Sequence, residues 1–322
     1  MQRLRVSKLC LKALVLLFVV PVSCAASREP SRDPKLIALV PPGAQIVAGI
    51  NASPQPGQPD NFVLVTHDNV VDLQDLFALS GADVSRIFQQ VVFVAIANNA
   101  GLLSEHSVLV SGHFDQPHIY KSAVEDGDAV SYYRGIPVLV IQPFTREQGT
   151  FNDVRWLAVL DSNVLLFGTV ATLQRELDRY TARSPADSTL LSRLAHLRDK
   201  DQTWCLLSPP TRNDEIRGLL ATLDPKLTNI VQSGGSLEFG IHFGRRVEFE
   251  YEVTLDSTVR GHDILRSLIH SPAASVNSAS LSPALNIIGD DNAARGVVEV
   301  SMSRYRTWLA EVSRNGERCL LH

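Results

Sequence analysis

Three groups of residues carry the types and spacing for chemistry. His113, Asp115 and His118 in the stretch Gly-His-Phe-Asp-Gln-Pro-His offer two imidazoles and a carboxylate at a strand end, a donor set suited to a divalent metal such as zinc. The same stretch has a second reading: Pro117 suits a helix start, and Asp115 then serves as the N-cap whose carboxylate accepts free N–H groups. Glu238, His242, Glu248, Glu250 and Glu252 form an acidic group on one side of a strand pair. A cation or a basic partner there would relieve the repulsion between facing carboxylates; otherwise the group is a solvated outer face. The third group, Gly261-His262-Asp263, reads as polar residues early in a helix.

Sequence motifs that assemble a reaction centre locally are missing. There is no Gly-x-Ser-x-Gly elbow, no phosphate-binding glycine loop, no dinucleotide fingerprint and no His-Glu-x-x-His. Ser233-Gly234-Gly235-Ser236 lacks a following lysine or helix and reads as a loop entering a strand. No catalytic or cofactor-binding residue is assigned, no cofactor is expected, and the chain is read as non-catalytic rather than as an enzyme.

The elements that would position these groups belong to an ordinary globular chain of 322 residues, 45% hydrophobic and 20% charged, long enough for about two domains. Its first residues read as a targeting segment. Arg3, Arg5, Lys8 and Lys12 precede the apolar run Ala13 to Val20, Pro21 breaks it, and small residues follow from Val22 to Ser27. Basic, then apolar, then small is the pattern of an export signal, here residues 1–26, and the run is too short to span a bilayer. Cleavage fits after Ala25 or Ala26; alternatively Cys24 is lipidated, as at the end of a bacterial lipoprotein box, although Pro21 departs from that pattern.

Loss of residues 1–26, with four cations and no acid, moves the formal net charge from −4 to −8. An acidic exported protein has no electrostatic reason to bind nucleic acid, and a membrane contact would come only through a lipid on Cys24. Cys205 and Cys319 remain after cleavage. They can pair in an oxidising compartment, or Cys205 can be a buried thiol in the run Trp204-Cys205-Leu206-Leu207 with Cys319 in a loose tail.

After a linker at 27–35, short strands alternate with amphipathic helices. A first α+β lobe is expected at 36–183, a second at 189–315 and a tail at 316–322, the boundary marked by Ser184-Pro185-Ala186-Asp187-Ser188. Strands are expected at 44–52, 62–66, 91–97, 107–110, 130–134, 137–142, 156–160, 164–168, 203–207, 237–243, 247–255 and 297–302. Helices are expected at 71–79, 116–125, 170–183, 190–197, 214–223, 259–270 and 304–313. In the 170–183 helix Leu173, Leu177 and Tyr180 recur at i, i+4 and i+7 on one face.

The hairpin 237–255 fixes its own register. A two-residue turn at Gly244-Arg245 would set Ile241 against Glu248, apolar against charged. A three-residue loop, Gly244-Arg245-Arg246, instead pairs Phe243 with Val247, Ile241 with Phe249 and Phe239 with Tyr251, so the three-residue loop is expected. Hairpin followed by helix recurs at 91–125, 156–183 and 237–270, which suggests duplicated units. The fold class expected is therefore α+β: antiparallel sheets with helices packed on one face, in two related lobes built from hairpin-helix units.

The run Leu39-Val40-Pro41-Pro42-Gly43-Ala44 entering Ile46–Ile50, with Tyr133-Arg134-Gly135-Ile136-Pro137-Val138 and the hairpin-helix Leu160 to Glu176, resembles uncharacterised secreted bacterial proteins. The resemblance spans most of residues 36–270 and brings no activity or site residue with it. The expected function is that of an exported, periplasmic or extracellular protein that binds or scaffolds a protein or envelope component. The alternatives are an extracytoplasmic metal-dependent or hydrolytic enzyme and a lipid-anchored subunit of an envelope complex.

Overall fold

In the computed structural model, β1 (Ile46–Asn51) and β10 (Thr203–Leu207) lie side by side, antiparallel, with Ala48 facing Cys205. The structure describes residues 32–51, 88–97, 103–125, 127–141, 145–146, 149–150, 154–199, 201–208, 235–244, 246–254, 286–289, 293–305 and 307. The expected targeting segment with Cys24, the expected strand at 62–66 and helices at 71–79, 214–223 and 259–270, Gly261-His262-Asp263 and Cys319 lie outside these residues, as does most of the helix expected at 304–313.

The other strands of the main sheet are β2 (Phe88–Ala97), β3 (Leu103–Gly112), β4 (Ala129–Tyr133), β5 (Ile136–Ile141), β8 (Arg155–Leu160), β9 (Val164–Thr169), β11 (Ser236–Phe243), β12 (Val247–Thr254), β13 (Asn286–Gly289) and β14 (Ala293–Val300). A separate two-strand ladder joins β6 (Thr145–Arg146) to β7 (Gly149–Thr150). The helices are α1 (Pro34–Leu39), α2 (Gln116–Glu125), α3 (Val170–Thr181) and α4 (Ser188–Leu194).

The expected α+β class with two helix-backed lobes is overturned. One antiparallel sheet of 12 strands runs in the order β13-β14-β12-β11-β10-β1-β2-β3-β9-β8-β5-β4. Strand outweighs helix 48% to 27% among the described residues, and the short helices lie on parts of the sheet instead of forming a layer. The reason lies in β1 and β10. All five residues of β10 are buried and so are five of the six in β1, on both faces. Such strands cannot be edges, because their open backbone groups and apolar side chains would meet water. Pairing them fuses the halves.

The repeat seen in the sequence reappears on a larger scale. Outward from the β1–β10 seam, β1-β2-β3-β9-β8 on one side is matched by β10-β11-β12-β14-β13 on the other. In both halves a lone strand is followed by a hairpin and then by a second hairpin laid in reverse beside it. A local two-fold therefore passes between Ala48 and Cys205. Phe93 faces Ala48 as Phe239 faces Cys205.

Residues directly opposite in the ladders share a face. On one face Val47, Val92, Leu109, Leu166, Trp204 and Leu206 pack with α1, α3 and α4. On the other, Val110, Leu139, Leu157, Leu165 and Phe167 pack with Ile119 and Ala123 of α2. Local signals start the helices. Asp33 caps α1, accepting from Lys35 N at 2.8 Å, with Pro34 in the first turn; Asp187 caps α4, accepting from Leu190 N at 2.9 Å. The α1 cap fell inside the stretch read as linker.

The expected 237–255 register is the observed one, with Phe243 opposite Val247, Ile241 opposite Phe249 and Phe239 opposite Tyr251. Leu173 and Leu177 are buried as expected and Tyr180 packs at the margin of that cluster. Glu176 shares their face and is buried with them, at i+3 from Leu173.

Candidate functional site

Each sequence-level cluster has a place in this fold. Asp115 precedes α2: its Oδ1 accepts from His118 N at 3.2 Å and its carbonyl from Ile119 N at 3.0 Å, so it caps the helix. His113 and His118 are exposed. Among the described residues no three His, Cys, Asp or Glu side chains converge in the manner of a metal centre. Cys205 is a free, buried thiol whose pKa burial pushes up, which makes it a poor nucleophile.

The acidic group of the hairpin sits where expected, with His242 opposite Glu248 and Glu238 opposite Glu252. It is not the solvated face expected of it. Glu238 is only 1% exposed and Glu252 is also buried, because α4 and the segment after it lie across them. The cations come from the chain itself. Arg193 pairs with Glu238 and also donates to Leu207 O at 2.8 Å; Arg198 pairs with Glu248 at 2.9 Å and with Glu250; Arg295 donates to Glu252 at 2.8 Å. Desolvation raises the Glu238 pKa, and Arg193 opposes it. Glu238 holds α4 to the sheet through Arg193, Glu248 and Glu250 hold the segment after it through Arg198, and Glu252 pairs across the ladder with Arg295 of β14.

Replacing Arg193 with methionine is expected to cost about 2–3 kcal/mol, since it leaves Glu238 buried without its cation. Urea denaturation of Arg193→Met, alone and combined with Glu238→Gln, measures it. The pair should recover more than half of the loss, and a double variant no better than the single would contradict the assignment.

A buried polar contact was missed at the sequence level. The Ser107 hydroxyl of β3 donates to Glu176 Oε1 of α3, and both residues are fully buried. Desolvation is the larger effect and pushes the Glu176 pKa up to about 8; the Ser107 hydrogen bond pulls the other way. Gly168 of β9, opposite Ser107, has no room for a Cβ, which would collide with His106 O and Ser107 of β3, so the two strands approach closely here. The contact ties α3 to β3 beneath the surface.

Among the described residues there is also an open surface. A cleft of about 570 Å³ lies between α2 and the end of the sheet, lined by Tyr120, Lys121, Val124, Val130, Tyr132 and Pro137 among others. Tyr120 fixes its floor by donating to Pro137 O at 2.6 Å and accepting from Val159 N at 3.4 Å. The rim is apolar: Tyr132 is 73% exposed, Val124 51% and Val130 37%. Its outer wall is β4, the last strand of the sheet, in which every residue but Tyr133 is exposed. Tyr133 points to the opposite face, where it packs on Trp156 with ring centroids 5.7 Å apart. The β4–β5 turn, Arg134-Gly135, has both residues at positive φ, 52° and 80°, the geometry of a two-residue type I′ hairpin whose twist matches its strands.

No family model, no curated protein and no solved structure matches this chain.

Proposed function

We propose that this is an exported, non-catalytic binding or scaffolding protein of the cell envelope, and that its contact surface is the α2–β4 cleft with the adjoining strand edge. The observation that carries the reading is the state of that edge. Strand edges are commonly guarded by charges, proline, bulges or covering loops. The sequence of β4, Ala-Val-Ser-Tyr-Tyr, contains none of the first two, its ladder with β5 runs without a register shift, and Val130 and Tyr132 stand open beside Val124. An edge of this kind pairs with an extended segment of another polypeptide, backbone to backbone, while the cleft takes alternate side chains. Export follows from the basic, apolar and small residues of 1–26.

A photo-crosslinking residue at position 132, expressed from the native locus and compared with one at His113, tests both parts. The expected result is a processed chain outside the cytoplasm, cross-linked to polypeptide from position 132 and not from 113. A chain retained in the cytosol with its leading segment attached would overturn the export reading; a chain that does not cross-link from 132 would overturn the surface. The mass of the processed N-terminus separates a lipidated Cys24 from a free Ala26 or Ser27.

A further inference from the structure

Asp201 stands just before β10 and is 1% exposed. Its carboxylate occupies the space over Gly240 of β11, where a Cβ would collide with it, and among the described residues neither of its oxygens has a hydrogen-bond partner. We infer that Asp201 is a proton-operated latch: protonated in this socket it fastens residues 32–39 and the α4–β10 connection to the sheet, and ionised it lets them loosen. A carboxyl group ringed by donors is suited to hold a charge. One pressed against backbone without donors is suited to hold a proton.

The parts that close over Asp201 are the parts it would hold. Arg198, in the connection after α4, has its Nε 3.7 Å from Asp201 Oδ1 but is shared with Glu248 and Glu250 of β12. Arg32 is bound to the same connection: it donates to Arg198 O at 3.0 Å, pairs with Asp199 at 3.2 Å and lies over Trp204, 5.9 Å from the ring centroid. Its neighbour Asp33 donates from N to Gln90 Oε1 of β2 at 2.7 Å, and α1 then packs against α3. Residues 32–39 therefore span the seam from the second half to the first. Four carboxylates, those of Asp199, Asp201, Glu248 and Glu250, meet two guanidiniums here, so one proton on Asp201 halves the excess negative charge. Farther along the face His242 and Glu299 flank Glu248, Arg246 answers Glu299 at 3.3 Å, and His196 and Arg295 answer Glu252. Asn51 of β1 donates to the Asp201 carbonyl, at 3.4 Å, and leaves the carboxyl alone.

Desolvation is the largest of the causes that bring the Asp201 pKa up to about 6; Arg198 opposes it, Glu250 adds to it and Arg32 opposes it. Released to water the carboxyl titrates near 3.8, so the closed form binds the extra proton between those two values. The latch holds fully below 3.8, weakens as pH rises and is off above 6.

Amide hydrogen exchange of the whole chain, compared with Asp201→Asn at each pH, tests this. Asparagine keeps the shape and cannot ionise, and the ratio of the two proteins cancels what other groups, Glu176 among them, contribute. The reporters are the amides of Asp33, Ile37 and Asp201, bonded to Gln90 Oε1, Asp33 O and Arg198 O. Their opening relative to the variant should rise roughly fiftyfold between pH 4 and pH 7 and then level off, while the amides of the β8–β9 ladder show no such rise. Glu250→Gln should move the upper break of the profile down by about half a pH unit or more, since it removes a repelling charge. Parallel curves for wild type and Asp201→Asn, or a ratio that falls with pH, overturn the inference. An equal rise in the β8–β9 amides overturns it too, because Asp201 would then act on global unfolding and not on a latch. If Asp201→Asn does not fold, the wild-type profile decides: a break near pH 6 that shifts in Glu250→Gln supports the latch, and one that stays put sinks it.

Discussion

Between pH 4.5 and pH 8 the wild-type chain is expected to lose about 4–5 kcal/mol more unfolding free energy than a Glu176→Gln variant. The Glu176 side chain is enclosed between α3 and β3, with Oε2 lacking a hydrogen-bond partner. Ionisation there would strand a charge in apolar surroundings, so the folded protein holds the proton up to about pH 8, whereas the unfolded chain gives it up near 4.5. The folded state thus binds the extra proton within that window. The stabilisation is fully present below pH 4.5, erodes steadily as pH rises, and is gone above 8. Glutamine keeps the shape and cannot ionise. Urea denaturation of both proteins at half-unit steps from pH 4.5 to 8.5 reads the difference directly; parallel curves would show that Glu176 ionises as freely in the fold as out of it.

Trp204→Ala is expected to destabilise the fold by about 3–5 kcal/mol. Trp204 is fully buried in β10, and its indole lies over Gly49 of β1, where a Cβ would collide with the ring. Glycine is required at position 49 by that close approach and not by its backbone angles. Adding a side chain there should cost about 1–3 kcal/mol through overpacking. The two effects are coupled: Gly49→Ala should be better tolerated beside Trp204→Leu than beside the native tryptophan. A double-mutant cycle followed by chemical denaturation measures the coupling, and strictly additive losses would mean that the indole does not depend on the gap at Gly49.

What could be read from the sequence was local. The register of β11 with β12 follows from parity, since only one loop length sets apolar against apolar through Phe243, Ile241 and Phe239. The turn at Asp161-Ser162-Asn163 is where expected, with Asp161 and Ser162 both at positive φ. The seam between β1 and β10 was not read, because it joins residues some 150 positions apart. The clue was present in both strands, which are apolar at consecutive positions and not at alternate ones. Treating the small polar stretch 184–188 as the end of a sheet-bearing lobe led to two sheets where there is one.

The acidic hairpin face shows the same limit. Alternation correctly placed Glu238, Glu248, Glu250 and Glu252 together, but nothing local reveals that Arg193 and Arg198, on and just after α4, will lie over them. Glu176 was legible in principle. It sits at i+3 from Leu173 and i+4 from Thr172, both buried, so helical geometry alone turns it inward. Hydrophobic pattern-matching passes over a carboxylate at such a position. The open edge at β4 was out of reach for another reason: exposure of Tyr132 depends on which strand comes last in the sheet, and that is decided by the whole topology.

Cys205 lies beside the two-fold at the seam and is sealed from solvent on both sides of the sheet. A thiol-specific reagent can reach it only when the structure around the seam opens. The rate at which an excess of such a reagent consumes this thiol under native conditions therefore times the spontaneous opening around the centre of the sheet, giving the molecule an internal clock.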